Sequence, residues 1–183
     1  MEFLEEEYFY HIYNRGNNKQ NIFFEKENYH YFIRLLEKYI SPIAEIYSYC
    51  LLPNHFHLLI KIKSGAIKPS QKFSNFFNSY TKSINKKYNR TGSLFQKPFK
   101  RIRVSDSKYL FQLVTYIHLN PENHNIIRNF EKYKYSSYSL FLNETYSSFI
   151  EVNEVLEWFD GITNFKFVHN QRRTIEENNL FAE

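Results

Sequence analysis

The chain has 183 residues and a mass of 22.4 kDa, which is enough for a single domain with its own hydrophobic core. Its hydrophobic fraction of 43% excludes a disordered chain, and its single cysteine, Cys50, excludes an internal disulfide. The acidic N-terminus and the lack of a long apolar stretch exclude a secretory signal and a membrane span, so a cytoplasmic protein with a formal net charge of +5 is expected.

The first half of the chain predicts three strands and one helix. Apolar residues flanked by turn residues indicate strands at Tyr8–Asn14, Ile43–Leu52 and His55–Lys63. Between the first two, Glu25–Ile40 carries apolar residues at spacings of three and four, which is typical of an amphipathic helix. Pro42 ends this helix, because the residue before a proline avoids helical backbone.

The third strand, His55–Lys63, has the clearest pattern in the chain, because its residues alternate between two kinds of face. The apolar face is formed by Phe56, Leu58, Ile60 and Ile62. The opposite face is formed by His55, His57, Leu59, Lys61 and Lys63. The pattern predicts that one face packs in the core and that the other displays two imidazoles and two ammonium groups.

The second half predicts two more helices with a strand between them. Pro69–Tyr88 repeats aromatic residues at helical spacing, and Lys100–Val104 is typical of a basic strand. A third helix, capped by Ser105 or Ser107, is expected to end at Pro121.

This order of elements predicts an α+β fold. We expect a ferredoxin-like or RRM-like sandwich, in which an antiparallel sheet has helices on one face and the active site on the other. Residues 1–140 are expected to form this domain. Residues 141–183, with a short helix at Val152–Phe159, are expected to form a C-terminal extension that packs on the domain or trails from it.

Two patterns in the sequence indicate residues that could bind a metal ion or act as a nucleophile. His55 and His57 are one residue apart on the same face of a strand, so both imidazoles could bind one metal ion, although they could equally be surface or core histidines. The third helix has a polar line that includes Tyr116 and Asn120, four residues apart and therefore on one side. Spacing alone leaves Tyr116 as one candidate nucleophile among 16 tyrosines.

At these residues the chain resembles the single-tyrosine HUH transposases (HUH for His-hydrophobic-His), and most closely their REP-associated branch. The resemblance spans roughly residues 8–140 and is specific because five motifs occur in the right order. The motifs are Asn14–Gly16, Leu52–Leu59, Ser93–Gln96 with Phe99 and Lys100, Tyr116–Pro121, and Tyr135–Tyr138.

The resemblance implies a role for each matching residue. His55 and His57 correspond to the metal ligands of the family, Asn120 corresponds to the third ligand, and Tyr116 corresponds to the nucleophile. Such a site implies Mg²⁺ or Mn²⁺ as cofactor, because an amide oxygen is a hard ligand. The implied reaction is cleavage and strand transfer of single-stranded DNA, with hairpins or repeat ends as substrate, through a 5′-phosphotyrosine.

The charge distribution agrees with a DNA partner. No acidic residue lies between Glu45 and Asp106, and this basic stretch contains twelve of the 24 Lys and Arg residues. The rest of the chain contains the other twelve basic residues and all 19 acidic residues. The formal charge is therefore +12 in the stretch and −7 in the rest of the chain. Candidates for phosphate contacts are Arg15, Lys61, Lys63, Lys82, Arg90, Lys97, Lys100 and Arg101.

Two other functions stay open at this point. The chain could be a module that binds single-stranded nucleic acid without cutting it, or a metal-dependent nuclease that activates water and uses Tyr116 only for packing. Initiators and relaxases of the same superfamily are less similar, because relaxases usually carry the tyrosine before the histidine motif. The sequence leaves open whether the protein is a monomer or a homodimer.

Overall fold

The computed structural model describes residues 3–142 and 149–174. Four strands and six α-helices are present in these residues. The strands are β1 (Phe9–Arg15), β2 (Ala44–Leu52), β3 (His55–Ile62) and β4 (Lys100–Val104). The helices are α1 (Lys26–Tyr39), α2 (Pro69–Lys87), α3 (Ser107–Asn123), α4 (Tyr138–Leu142), α5 (Val152–Trp158) and α6 (Ile162–Thr174). None of the helices in the described ranges is long and apolar enough to cross a membrane.

The four strands form one antiparallel sheet in the order β2-β3-β1-β4. Helices α1 and α2 lie together on one face, where the apolar side chains predicted for β3 are fully buried. Aromatic residues of both helices complete this core, and among them Phe32, Phe76 and Tyr80 have no exposed surface. The predicted ferredoxin-like α+β fold is confirmed.

The opposite face of the sheet, which we call the site face, carries His55 and His57. Helix α3 packs across it, mainly on β2 and β3. As a result His55 is 1% exposed and His57 is 0% exposed, whereas the sequence pattern predicted that this face displays them. The prediction was wrong in this respect because alternation along a strand shows which residues share a face, but not what covers that face.

Helix α3 also ends later than predicted. It continues through Pro121 to Asn123. A proline inside a helix removes one backbone hydrogen bond, and this loss is tolerated here in the last turn. The continuation places Tyr116 and Asn120 in regular helix, on the same side and one turn apart.

The C-terminal helices add a second aromatic cluster around two buried histidines. His118 of α3 and His169 of α6 are both fully buried, and their Nδ1 and Nε2 atoms lie 2.9 Å apart. Phe130, Tyr138, Phe141, Phe159 and Phe165 surround the pair. His118 lies two residues after Tyr116 on α3 and therefore points away from it, into this cluster.

Burial of this pair predicts an acid-sensitive fold. Burial lowers the pKa of His169 to about 4 and that of His118 well below its usual value. Between about pH 4 and the pKa of about 6.5 in the unfolded chain, the unfolded state binds the proton and the folded state does not. Stability is therefore complete above this window and is lost as the pH falls through it.

We expect the free energy of unfolding to fall by about 1.4 kcal/mol per pH unit below 6.5 for each such histidine. Urea denaturation at pH 7.5 and 5.5 measures this slope. His169→Gln is expected to reduce it by about one histidine's contribution, whereas Phe167→Ala, which changes an exposed residue of α6 without a titratable group, leaves it unchanged. A slope that is the same in wild type and His169→Gln would contradict the prediction.

Candidate active site

Pairing between β1 and β3 assembles the centre of the site. Leu59 lies opposite His11, His57 opposite Tyr13, and His55 opposite Arg15. Residues that face each other in an antiparallel pair point to the same side of the sheet. The β1 side chains therefore join the two predicted ligands on the site face.

His11 contacts His57 directly. Its Nε2 atom lies 2.9 Å from Nδ1 of His57, and the two rings are nearly parallel with centroids 5.1 Å apart. Burial lowers the pKa of His11 to about 3 and that of His57 well below its usual value, so both imidazoles are neutral. The contact engages Nδ1 of His57, so a metal ion would bind this ring at Nε2.

The contact with Asn54 determines which ring nitrogen of His55 carries the proton. Its Nδ1 atom is 2.6 Å from Oδ1 of Asn54, and an amide oxygen only accepts, so Nδ1 donates. Burial, with smaller contributions from the charges of His124 and Arg15, lowers the pKa of His55 to about 3. His55 is therefore neutral with an unprotonated Nε2, which is the form that binds a metal ion.

Helix α3 brings Tyr116 to the same place. Its ring meets those of His57 and His11 edge-on, with centroid distances of 5.6 Å and 6.3 Å. Asn120 lies one turn further, and its Nδ2 atom donates to the backbone oxygen of Tyr116 at 2.8 Å. Because that backbone oxygen can only accept, the amide nitrogen of Asn120 faces it and Oδ1 is left for another partner.

Two buried atoms at the site support a bound cation. Nε2 of His55 and Oδ1 of Asn120 are both buried, and neither has a hydrogen-bond partner among the residues that the structure describes. Such a group costs about 1–3 kcal/mol when it is left without a ligand. Two imidazole nitrogens and one amide oxygen suit a divalent metal ion. Within the described ranges no group of three or more His, Cys, Asp or Glu could hold a metal ion, and an amide lies outside those residue types.

Two further residues add to the predicted site. The ring of His124 at the end of α3 lies 4.6 Å from that of His55. The charge of Arg15 contributes to the lowered pKa of both histidines, so its guanidinium is close enough to act on them. Arg15 was a predicted phosphate contact, and its position beside His55 is suited to that role. His11 and His124 were not predicted.

The other predicted phosphate contacts are spread over the molecule. Lys61 forms an ion pair with Glu7 at 3.1 Å, and Lys63 donates to the backbone oxygen of Ser41. Arg101 lies on the α1/α2 face, where it donates to Ser70. Arg90 donates to Asn85 and Gln20. Three lysines outside such contacts are exposed: Lys82, Lys97 and Lys100.

Of these three, Lys100 is nearest to the site in the sheet. It lies opposite Tyr13 in the pairing of β4 with β1 and therefore on the site face. Tyr13 is half-buried, and its ring stacks on both His11 and His57. An exposed cation and an aromatic ring thus stand on the same face as the histidines.

The chain is similar to known proteins in sequence and in fold. Residues 5–120 match the family model described as "Transposase IS200 like". No curated protein matches the sequence. A solved structure of a REP-associated tyrosine transposase bound to a REP hairpin has 15% sequence identity and a TM-score of 0.64, and the match covers 82% of this chain and 95% of that one. At this identity the structural likeness shows a shared fold.

The matched residues include every residue of the predicted catalytic centre. They begin before β1 and end at Asn120, so they contain both histidines of β3 and Tyr116. They also make up more than half of the 183 residues. The resemblance to single-tyrosine transposases is thereby confirmed, and the chain belongs to the IS200-like transposase family.

Proposed function

We propose that this protein cuts and rejoins single-stranded DNA with Tyr116 as the nucleophile and a divalent metal ion, Mg²⁺ or Mn²⁺, as cofactor. One observation carries the proposal: Tyr116 lies against His57, and in the described part of the chain a nitrogen of His55 and an oxygen of Asn120 are buried without hydrogen-bond partners. A tyrosine that only packs in the core does not require acceptor atoms without hydrogen-bond partners beside it. A nucleophilic tyrosine that acts with a bound metal ion requires such acceptors as ligands for the metal ion.

The chemistry follows from the groups present. The phenolic oxygen of Tyr116 loses its proton and attacks the phosphorus atom. The bond from phosphorus to the 3′ oxygen breaks, and that oxygen takes up a proton, so the products are a 5′-phosphotyrosine and a free 3′-hydroxyl. Because the covalent link keeps the bond energy, another 3′-hydroxyl can reverse the reaction and rejoin the strand without ATP.

The residues of the site have different roles in this reaction. His55, His57 and Asn120 would hold the metal ion, which when bound withdraws negative charge from the phosphate oxygens. His11 orients His57 through the contact between their ring nitrogens. Arg15 supplies a fixed positive charge beside His55 for the negative phosphate backbone.

Single-stranded DNA next to a hairpin is the proposed substrate. The solved structure of similar fold is bound to a REP hairpin, and the basic stretch of this chain can neutralise DNA phosphates. The reaction needs an unpaired backbone, because the scissile phosphate must reach a partly buried tyrosine. Unpaired bases can stack on aromatic side chains such as Tyr13.

Labelled oligonucleotides test the proposal. The wild-type protein is incubated with Mn²⁺ and a set of hairpins that carry single-stranded flanks, and the products are separated under denaturing conditions. We expect a protein–DNA adduct and a shortened strand with a 3′-hydroxyl, and neither with fully paired DNA or with EDTA. Binding without cleavage would favour a binding module. Cleavage without an adduct would favour a nuclease that uses water.

The role of His11 gives a separate prediction. His11→Leu removes the partner of Nδ1 of His57, so His57 is no longer held in one tautomer and orientation. We expect the affinity for Mn²⁺ to fall by about 10–100-fold, the usual effect of removing such a partner. Titration followed by electron paramagnetic resonance measures this affinity. The exposed His30→Leu serves as control, and equal affinities of the two variants would exclude the role of His11.

A further inference from the structure

The C-terminal helix α6 lies outside the segment that matches the family and packs against α3, the helix of Tyr116. The contact between α6 and α3 has polar side chains at its centre and aromatic side chains around them. His169 of α6 lies next to His118 of α3, with ring centroids 5.1 Å apart, and both have no exposed surface. A polar contact in such a cluster is retained only where its hydrogen bonds are satisfied.

A chain of hydrogen bonds runs through the pair, and its ends determine its direction. The backbone oxygen of Phe165 lies 2.8 Å from Nδ1 of His169 and only accepts, so this nitrogen donates. Nε2 of the neutral His169 then accepts from Nδ1 of His118 at 2.9 Å. Nε2 of His118 accepts in turn from the hydroxyl of Ser137 at 2.8 Å, which is shorter than the alternative contact of that hydroxyl with the backbone oxygen of Tyr49 at 3.3 Å.

The last member connects the chain to the sheet. Oγ of Ser137 accepts from the backbone nitrogen of Tyr49 in β2 at 2.9 Å, and the backbone nitrogen of Ser137 donates to the oxygen of Tyr49 at 3.0 Å. The hydrogen bonds therefore form an uninterrupted connection from α6 through α3 to the sheet. We call it the histidine chain: Phe165, His169, His118, Ser137 and Tyr49.

We propose that His169 is a positioning residue for Tyr116, which acts by fixing the rotation of α3 through His118. The inference rests on the proposed function, since it concerns the position of the nucleophile. Tyr116 and His118 are two residues apart, or about 200° around a helix, so they point to nearly opposite sides. The histidine chain holds one side of α3, and the site lies on the other.

The restraint on the rotation of α3 is important because even a small rotation displaces the phenolic oxygen of Tyr116. The phenolic oxygen of a tyrosine lies roughly 9 Å from the helix axis, so a rotation of about 10° moves it by about 1.5 Å. Asn120 would move with it, because both residues lie on the same side of α3 and are joined by a hydrogen bond. A displacement of about 1 Å can cost about 100-fold in rate.

Two substitutions of His169 in the full chain test the proposal. Leucine fills the space but cannot accept from His118, whereas glutamine offers an amide oxygen for that purpose. We expect His169→Leu to slow single-turnover adduct formation by about 10–100-fold, with an unchanged dissociation constant for the oligonucleotide, and His169→Gln to recover most of the rate. Nitrogen NMR of His118 is expected to show a proton on Nδ1 in wild type and its loss in His169→Leu.

Controls separate positioning from general stability. Phe167→Ala changes an exposed residue of α6 and is expected to keep the wild-type rate. Phe73→Leu destabilises the core on the α1/α2 face and, at a matched melting temperature, is also expected to keep it. If His169→Leu does not fold, Ser137→Ala interrupts the chain at its other end and is expected to be slow.

Several results would overturn the inference. It fails if wild type forms the adduct and both His169→Leu and Ser137→Ala keep its rate, or if Phe73→Leu is slowed as much as His169→Leu. A proton on Nε2 of His118 in wild type would also overturn it, and this measurement needs neither DNA nor metal. Absence of any adduct in wild type is a different outcome, because it refutes the proposed function itself.

Discussion

Tyr116→Phe is expected to abolish the protein–DNA adduct and to reduce cleavage by a factor of about 10⁴ or more, which is the scale of losing a catalytic nucleophile. The substitution removes one oxygen atom and keeps the ring that meets His57 and His11 edge-on. The fold, the metal site and the affinity for DNA should therefore be retained. Single-turnover kinetics with labelled hairpin DNA and Mn²⁺ measure the effect.

Two other tyrosines make this test specific. Tyr109 is exposed on the same helix, and Tyr109→Phe is expected to keep the wild-type rate. Tyr13 lies at the site and stacks on His57. If Tyr13→Phe lost the adduct while Tyr116→Phe kept it, the nucleophile would be Tyr13. If both kept cleavage and formed no adduct, water would be the nucleophile.

Loss of the proposed metal site is expected to have the second largest effect. His57→Ala removes one proposed ligand, and we expect weaker binding of Mn²⁺ and an adduct rate reduced by about 10²–10³-fold, the scale of losing stabilisation of transition-state charge. Treatment with EDTA should abolish the adduct in wild type, and addition of Mn²⁺ or Mg²⁺ should restore it. Calorimetry with Mn²⁺ and the adduct assay measure the two effects on one preparation.

The matched control for this substitution is His30→Ala, which removes an exposed histidine of α1 on the other face of the sheet. It is expected to keep the wild-type affinity for Mn²⁺ and the wild-type adduct rate. Asn120→Ala is expected to weaken Mn²⁺ binding as well, because it removes a buried oxygen that has no hydrogen-bond partner within residues 3–142 and 149–174. Unchanged Mn²⁺ affinity in both His57→Ala and Asn120→Ala would contradict the proposed ligand set.

The fold and the placement of the two histidines of β3 could be predicted because their signals are local. The strand of His55 and His57 is marked by strict alternation, and it occurs as β3 with both histidines on one face. Helical spacing likewise placed the aromatic residues of α2 in the core, where Phe73, Phe76 and Tyr80 are fully buried. Period-two and period-3.6 patterns need no knowledge of what lies across the sheet.

The contacts that the sequence did not predict depend on packing between residues far apart in the chain. His11 reaches His57 only through the register of β1 against β3, which makes these two residues diagonal neighbours although they are 46 positions apart in the chain. His169 meets His118 through the docking of α6 on α3, at a separation of 51 residues. Alternation within β1 places His11, Tyr13 and Arg15 on one face, so a hypothesis about the strand register could have found His11. No comparable local signal marks His169.

Identification of the residue that carries the DNA tests the central claim most directly. The adduct formed with Mn²⁺ and a hairpin oligonucleotide is digested with a protease and a nuclease, and the modified peptide is sequenced by mass spectrometry. The proposed function predicts one modified peptide, with a nucleotide joined through its 5′ phosphate to Tyr116. A nucleotide attached to any other residue, or joined through a 3′ phosphate, would contradict it.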